Sequence, residues 1–234
     1  MTVNDLVAAQ GVRDTRGALR RWNAEPWPVL RVWVGGALAV AGALLFAVWV
    51  IASVSTPDLT PPEIPGVTTE AGPGDVAAIL FRNSLVLALH AFACVAGFIA
   101  GSSLVLSAER RSGFSRLVHE KARPIALAWV VMVTAFSLFT QAFALGFNGA
   151  QLANALQISP AVLVLTVLPH AIPELVALFL PLAAWTIASR RGDWQDLLAA
   201  TFATVAIAIP MLVAAATWET YVWPHILAAV SPLV

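Results

Sequence analysis

Five long apolar runs, separated by short segments that hold almost all of the charge, constrain this chain more than any other feature. The first runs from about Leu30 to Val54, the second from Ala77 to Leu106 and the third from Pro124 to Phe147. The fourth covers Ser159 to Ser189 and the fifth Leu197 to Trp218. At about 1.5 Å of rise per residue, each is long enough to cross a hydrocarbon core of about 30 Å as a helix. Of 234 residues, 59% are hydrophobic and only 11% are charged. A soluble domain would carry roughly a quarter charged residues to cover its surface. The expected fold is therefore all-α, a polytopic transmembrane helical bundle of about five spans. Residues 1–29 form an N-terminal segment, 30–218 the bundle and 219–234 a tail. The chain length is that of one membrane domain, without room for a separate catalytic domain.

The basic residues orient these spans. Arg13, Arg16, Arg20, Arg21 and Arg31 precede or open the first, and Arg110, Arg111, Arg116, Lys121 and Arg123 lie between the second and third. Arg190 and Arg191 separate the fourth from the fifth, whereas the connections 55–76 and 148–159 hold no Lys or Arg. Twelve of the 13 basic residues thus fall on one side, which the positive-inside rule assigns to the cytoplasm. A multi-pass cell-membrane protein with a cytoplasmic N-terminus and an extracytoplasmic C-terminus is expected. Asp5 and Asp14, and an apolar run that starts late, do not read as a signal peptide. Trp22, Trp27, Trp33 and Trp194 would anchor the inner interface, and Trp218, Tyr221 and Trp223 the outer one. The acidic, proline-rich connection 55–76 reads as a solvated connector in contact with water. The basic connection Arg110 to Arg123 is a topology signal, or a contact for anionic lipid or a cytoplasmic ATPase.

Ionisable residues inside the spans are few, and such residues cost roughly 2.5–3.5 kcal/mol each on insertion scales. The fourth span carries Pro169, His170, Pro173 and Glu174. His170 and Glu174 are four residues apart, on one helix face. The two prolines predict a kinked or broken helix, with a re-entrant piece followed by a crossing from Glu174 as the preferred form. Arg82, the thirteenth basic residue, either snorkels to headgroups or pairs with Glu174 or Glu219. Asn83, His90, Cys94, Gly97 and Gly101 recur on one face of the second span. Gly97 and Gly101 form a G-x-x-x-G pair, preferred here as an intramolecular packing seam over a contact with a second copy in a homo-oligomer. Asn83 is expected to reach toward the fourth span, and His90 to be a packing histidine. Asn148-Gly149 reads as the turn ending the third span, Glu219 as the close of the fifth, and His225 as interfacial.

Several functions are excluded or disfavoured. Zero net charge gives no basic field for nucleic acid. The single cysteine, Cys94, precludes an intrachain disulfide and a cysteine-based zinc cluster. No nucleotide-binding loop, hydrolase triad or haem-ligating pair is present, and no cofactor or metal is expected. An intramembrane metalloenzyme would use His170, Glu174 and Glu219, but the paired histidines of the common hydrolase motif are missing.

Pro169-His170-Ala171-x-x-Glu174 in a late span resembles the signature of the stage II sporulation protein M (SpoIIM) family of bacterial membrane proteins. Phe81-x-Asn83, Asn148-Gly149 and Glu219-x-Tyr221-x-x-Pro224 extend the resemblance from about Phe81 to Pro224. Ala171 stands where the family usually has glycine. The resemblance implies a non-enzymatic membrane component that positions cell-wall hydrolases in a complex. It also implies, as the alternative, a permease-like subunit working with an ATPase in export of, or immunity to, membrane-active peptides. It singles out Asn83, Asn148, His170, Glu174 and Glu219, with membrane lipid and other membrane-associated proteins as partners.

Overall fold

Helices form where the apolar runs demand that every peptide group be paired within its own segment. The computed structural model describes residues 3–58, 60, 62–103 and 114–233. Arg110 and Arg111, together with the side chains of Arg116, Lys121 and Arg123, lie outside the described residues, and with them the expected basic connection. The elements are α1 (Val3–Ala24), α2 (Trp27–Val54), α3 (Pro73–Phe98), continued by a π-helical turn (Ile99–Ser103), and α4 (Phe114–Ala155). They continue with α5 (Pro160–Arg191), a 3-10 turn (Trp194–Asp196), α6 (Leu197–Tyr221) and α7 (Trp223–Val230). Five segments are long and apolar enough to cross a membrane: Pro26–Val54, Pro73–Gly101, Leu127–Ala155, Pro160–Arg191 and Trp194–Tyr221. The chain is an all-α, multi-pass helical bundle.

The side chains are sorted by size. Along α2, Trp33, Ala37, Ala41, Leu44, Val48 and Ala52 form a buried stripe at steps of three and four, the period of one helix face. Elsewhere Ala177, Ala184, Ala199, Ala208 and Ala216 are at most 1% exposed, whereas Phe46, Phe92, Trp129 and Phe136 are more than 60% exposed. Small residues inside and large ones outside suit a bundle in lipid, where helices associate by close packing and not by expelling water.

Two compact units are drawn from these helices. The first comprises Met1–Ala37, Leu87–Ala135 and Phe179–Ile207. Here Arg21 on α1 grips Asp196 with two hydrogen bonds of 2.9 and 3.0 Å, and the Trp22 and Trp33 rings meet edge to face at 5.0 Å. Cys94, Phe98, Ala188 and Leu197 form a core with Trp185, Trp194 and Leu198 around it. Gly97 and Gly101 make room for these indoles. A Cβ on Gly97 would lie 2.7 Å from Trp185 Nε1 and 2.8 Å from Leu197 Cδ1, and one on Gly101 would strike the Trp194 ring. The G-x-x-x-G pair is thus occupied within the chain, and Trp33 and Trp194, expected as interface anchors, serve packing.

The second unit comprises Leu38–Val86, Phe136–Leu178 and Ala208–Val234. Its core joins Ile64, Ala153, Leu156, Leu163, Trp223 and Leu227. Ser231 Oγ donates to the Leu156 carbonyl at 2.8 Å, so the tail ends in a docked helix. The connection 55–76 is also partly folded. Ile64 N donates to Thr68 Oγ1 at 2.7 Å and Gly66 N to Thr69 O at 2.8 Å. Gly66 has φ +81° and sits so close to Pro224 that a Cβ would come within 2.6 Å of its ring. The expected solvated connector therefore delivers an isoleucine, 5% exposed, to the core, because the proline-rich flanks leave Ile64 as an apolar side chain with a buried place available. Trp223, expected as an interface anchor, is 9% exposed and belongs to that core.

Two expectations about helix ends are corrected. The fourth span is not broken or re-entrant, since α5 is helical without interruption from Pro160 to Arg191, through Pro169, Pro173 and Pro181. Each proline removes one amide donor, but unravelling the turn would strand several peptide groups where no water can reach them. The ten residues 175–184 are all buried, as befits a helix surrounded by others. The third span does not turn at Asn148-Gly149, because α4 continues to Ala155. Gly149 is instead near Ala52 and Leu163, and Gly146 sits against Ile51.

Gly97→Ala forces Trp185 or Leu197 to move, and overpacking of this kind costs about 1–3 kcal/mol. Gly42→Ala meets nothing within 4 Å and is expected to be neutral or slightly stabilising, because alanine is the better helix former. Thermal unfolding of the two variants in detergent should separate them in that order.

Candidate functional site

Asn83, Thr166, His170, Glu174 and Glu219 all fall in the second unit, where they form two groups rather than one. In the first group Asn83 on α3 donates from Nδ2 to Glu174 Oε1 on α5 at 2.9 Å. Both side chains are half-buried. The amide N–H donor of α3 thereby satisfies one carboxyl oxygen of α5 and ties the two helices together. Glu219, near the end of α6, is also half-buried and lies within electrostatic reach of Glu174. Arg82 is exposed, yet its charge acts on both carboxylates. It does not close an ion pair with either. Among the described residues the salt bridge within 4.0 Å is Arg21 to Asp196, at 2.9 Å. Arg82 thus stays exposed and acts on two half-buried acids through space, without closing the expected ion pair. Two like charges near each other disfavour joint ionisation, and one guanidinium offsets part of that cost.

The second group centres on His170. Although four residues from Glu174 on the same helix, it does not join the carboxylate group. It is 5% exposed and meets Trp223 edge to face with centroids 5.7 Å apart. Trp223 Nε1 donates to Thr166 Oγ1 at 3.2 Å, and Thr166 Oγ1 donates to Leu163 O at 2.7 Å. Among the described residues nothing hydrogen-bonds to His170 Nδ1. Thr166 and His170 are a helix turn apart on one face of α5 and together form the seat for the Trp223 indole. The sequence marked His170 and Trp223 separately but gave Thr166 no role. A hydroxyl one turn before a membrane histidine was the available signal.

The remaining positions lie apart. Asn148 is exposed on α4 and contributes to neither group, because the helix that carries it does not end there. His225 is exposed on α7. His90 belongs to the first unit, where it is fully buried and packs edge-on against Phe179 at 5.4 Å. Pro169 and Pro173 flank His170 within an intact helix. The three proposed metal ligands are divided between the two groups. Among the described residues no three His, Cys, Asp or Glu side chains are placed to hold a metal ion.

What this arrangement can do chemically is join helices. Double-mutant cycles for hydrogen bonds between membrane helices average about 0.6 kcal/mol, with a maximum near 1.7. The Asn83–Glu174 bond is expected to lie within that range. A cycle of Asn83→Ala and Glu174→Ala, followed by unfolding in detergent, should show that coupling. Purely additive losses would mean that the bond carries no net stability. No family model, curated protein or solved structure matches this chain.

Proposed function

We propose that the chain is a non-enzymatic scaffold, a subunit of a bacterial membrane complex of the kind that the stage II sporulation protein M family provides in cell-wall remodelling. The observation that carries the reading is the Asn83–Glu174 bond. It commits the carboxylate of the fourth span to holding two helices of the second unit together, leaving it with a structural task. The residue pattern supports the family, since Asn83, His170, Glu174 and Glu219 all fall in one compact unit. In that unit the 62–69 turn, α7 and the ends of α4 and α5 are locked by Ile64, Trp223, Leu227 and Ser231. A rigid, preorganised surface loses little freedom when a partner docks.

The scaffold lies in the cell membrane with α1 in the cytoplasm and α7 outside, an orientation that rests on the basic residues alone. A second reading, a permease-like subunit of an ATPase-driven exporter or peptide-immunity system, is favoured by one feature. Glu174 and Glu219 are close in effect but neither is fully enclosed, as residues lining a pathway would be.

Affinity purification in mild detergent separates the two. A scaffold should bring down an envelope or cell-wall enzyme, in an amount that Glu70→Gln, on the exposed part of the connection, leaves unchanged. Glu174→Leu, which removes the acceptor for Asn83, should reduce the co-purified partner while the chain itself still accumulates. Recovery of an ATPase whose turnover responds to Glu174→Leu would favour the exporter and overturn the scaffold. The orientation predicts an active alkaline phosphatase when the reporter follows Val230 and an inactive one when it is inserted between Arg110 and Arg123. The reverse result would invert the topology.

A further inference from the structure

The last turn of α1, the start of α2 and the early turns of α6 border an open groove in the first unit. Its volume is ≈ 500 Å³, inside the range of roughly 300–1,000 Å³ common for small-molecule sites. The groove has two chemically distinct parts. Leu30 on α2 and Ala203 and Ile207 on α6 give it an apolar wall. These residues belong to the crossing segments Pro26–Val54 and Trp194–Tyr221. Arg20 and Asn23, from the end of α1, stand at the other part. Both are exposed, and neither side chain forms a hydrogen bond or ion pair among the described residues. Trp22, which also lines the groove, is held by its edge contact with Trp33. Indoles of this kind favour the headgroup level of a bilayer.

The field at the polar part favours an anion. α2 begins at Trp27 with no acidic residue in its first turn, and Pro26, just before it, lines the groove together with Arg20, so the positive end of a 28-residue helix borders the same groove. Glu25 lies nearby in sequence but is exposed and does not line the groove. α1 is turned so that Gly11 and Ala18 are buried and Arg13, Arg16 and Arg20 are exposed. Of these three arginines, Arg20 is the one that lines the groove.

We propose that this groove binds an anionic phospholipid. The headgroup phosphate sits between Arg20 and Asn23 at the start of α2, and an acyl chain lies along Leu30, Ala203 and Ile207. The apolar wall selects a lipid over a free phosphate, which would satisfy the mouth alone. The single unpaired guanidinium selects an anionic headgroup over a zwitterionic one, whose cation it would repel. The lipid would tie the amphipathic α1 to the ends of the first and fifth crossings, in the leaflet that faces α1.

Native mass spectrometry of the full chain in mild detergent tests this, using phosphatidylglycerol and phosphatidylcholine with identical acyl chains. The wild-type chain should retain one phosphatidylglycerol in preference to phosphatidylcholine, and millimolar inorganic phosphate should not displace it. Arg20→Gln should weaken retention about fivefold, the factor carried by one basic side chain near an anionic surface. Ile207→Trp, which fills the apolar part, should also weaken it, and Arg13→Gln, seven residues earlier on the same helix, should not. Asn23→Ala provides the same readout from the second mouth residue if Arg20→Gln is poorly folded. Equal retention of the two lipids, displacement by inorganic phosphate, or equal losses for Arg13→Gln and Arg20→Gln would each overturn the proposal.

Discussion

An unpaired peptide group in hydrocarbon costs several kcal/mol, and that penalty governs the shape of the fourth span and through it the site. With three prolines in its interior, α5 has every local reason to break. It stays helical from Pro160 to Arg191 because each proline forfeits one hydrogen bond, while a broken turn would forfeit several. The consequence is geometric. An intact helix keeps Thr166, His170 and Glu174 at steps of four, close to one face, but 1.5 Å of rise per residue spreads them over about 12 Å along the axis. Three residues so spaced cannot gather around one point. They meet different partners instead: Trp223 for the upper two and Asn83 for the third.

The second governing condition is the absence of a hydrophobic force between helices in lipid. Apolar side chains gain little by leaving acyl chains for other side chains, so contact is decided by how closely the backbones approach. This explains the many buried alanines, and it explains the glycines at three contacts: Gly97 under Trp185, Gly101 under Trp194 and Gly146 against Ile51. At the first two, the small residue receives an indole rather than another helix backbone. A tryptophan that would otherwise have anchored to headgroups is drawn inside, and its large surface is used for dispersion contacts.

Much of this was legible from residue order. Run length gave the five crossings, since a membrane helix is defined by a physical dimension that can be counted. The meeting of Asn83 with the fourth span, and the preference for an internal seam at Gly97 and Gly101, followed from helical spacing. What misled was punctuation. Pro169-Pro173 and Asn148-Gly149 are turn signals calibrated on chains in water, where a free carbonyl is hydrated at little cost. In α4 and α5 the same residues lie inside helices. The docking of α7 and of Ile64 was illegible for another reason. Their burial depends on Pro224 meeting Gly66 and on Leu227 meeting Leu156 and Leu163, contacts between segments far apart in sequence that no periodicity encodes.

The division of the polar residues bears on what the second unit can be. A catalytic or metal site needs several groups directed at one point, held by their own packing. Here the groups are directed at different helices: Asn83 ties α3 to α5, and Thr166 with His170 seats α7 on α5. Each contact fixes one neighbour of the same central helix. Polar side chains distributed in this way hold a bundle in one arrangement instead of converging on a small molecule. Glu219 and Arg82 differ from the rest, because they act on Glu174 through space without a bond that fixes them.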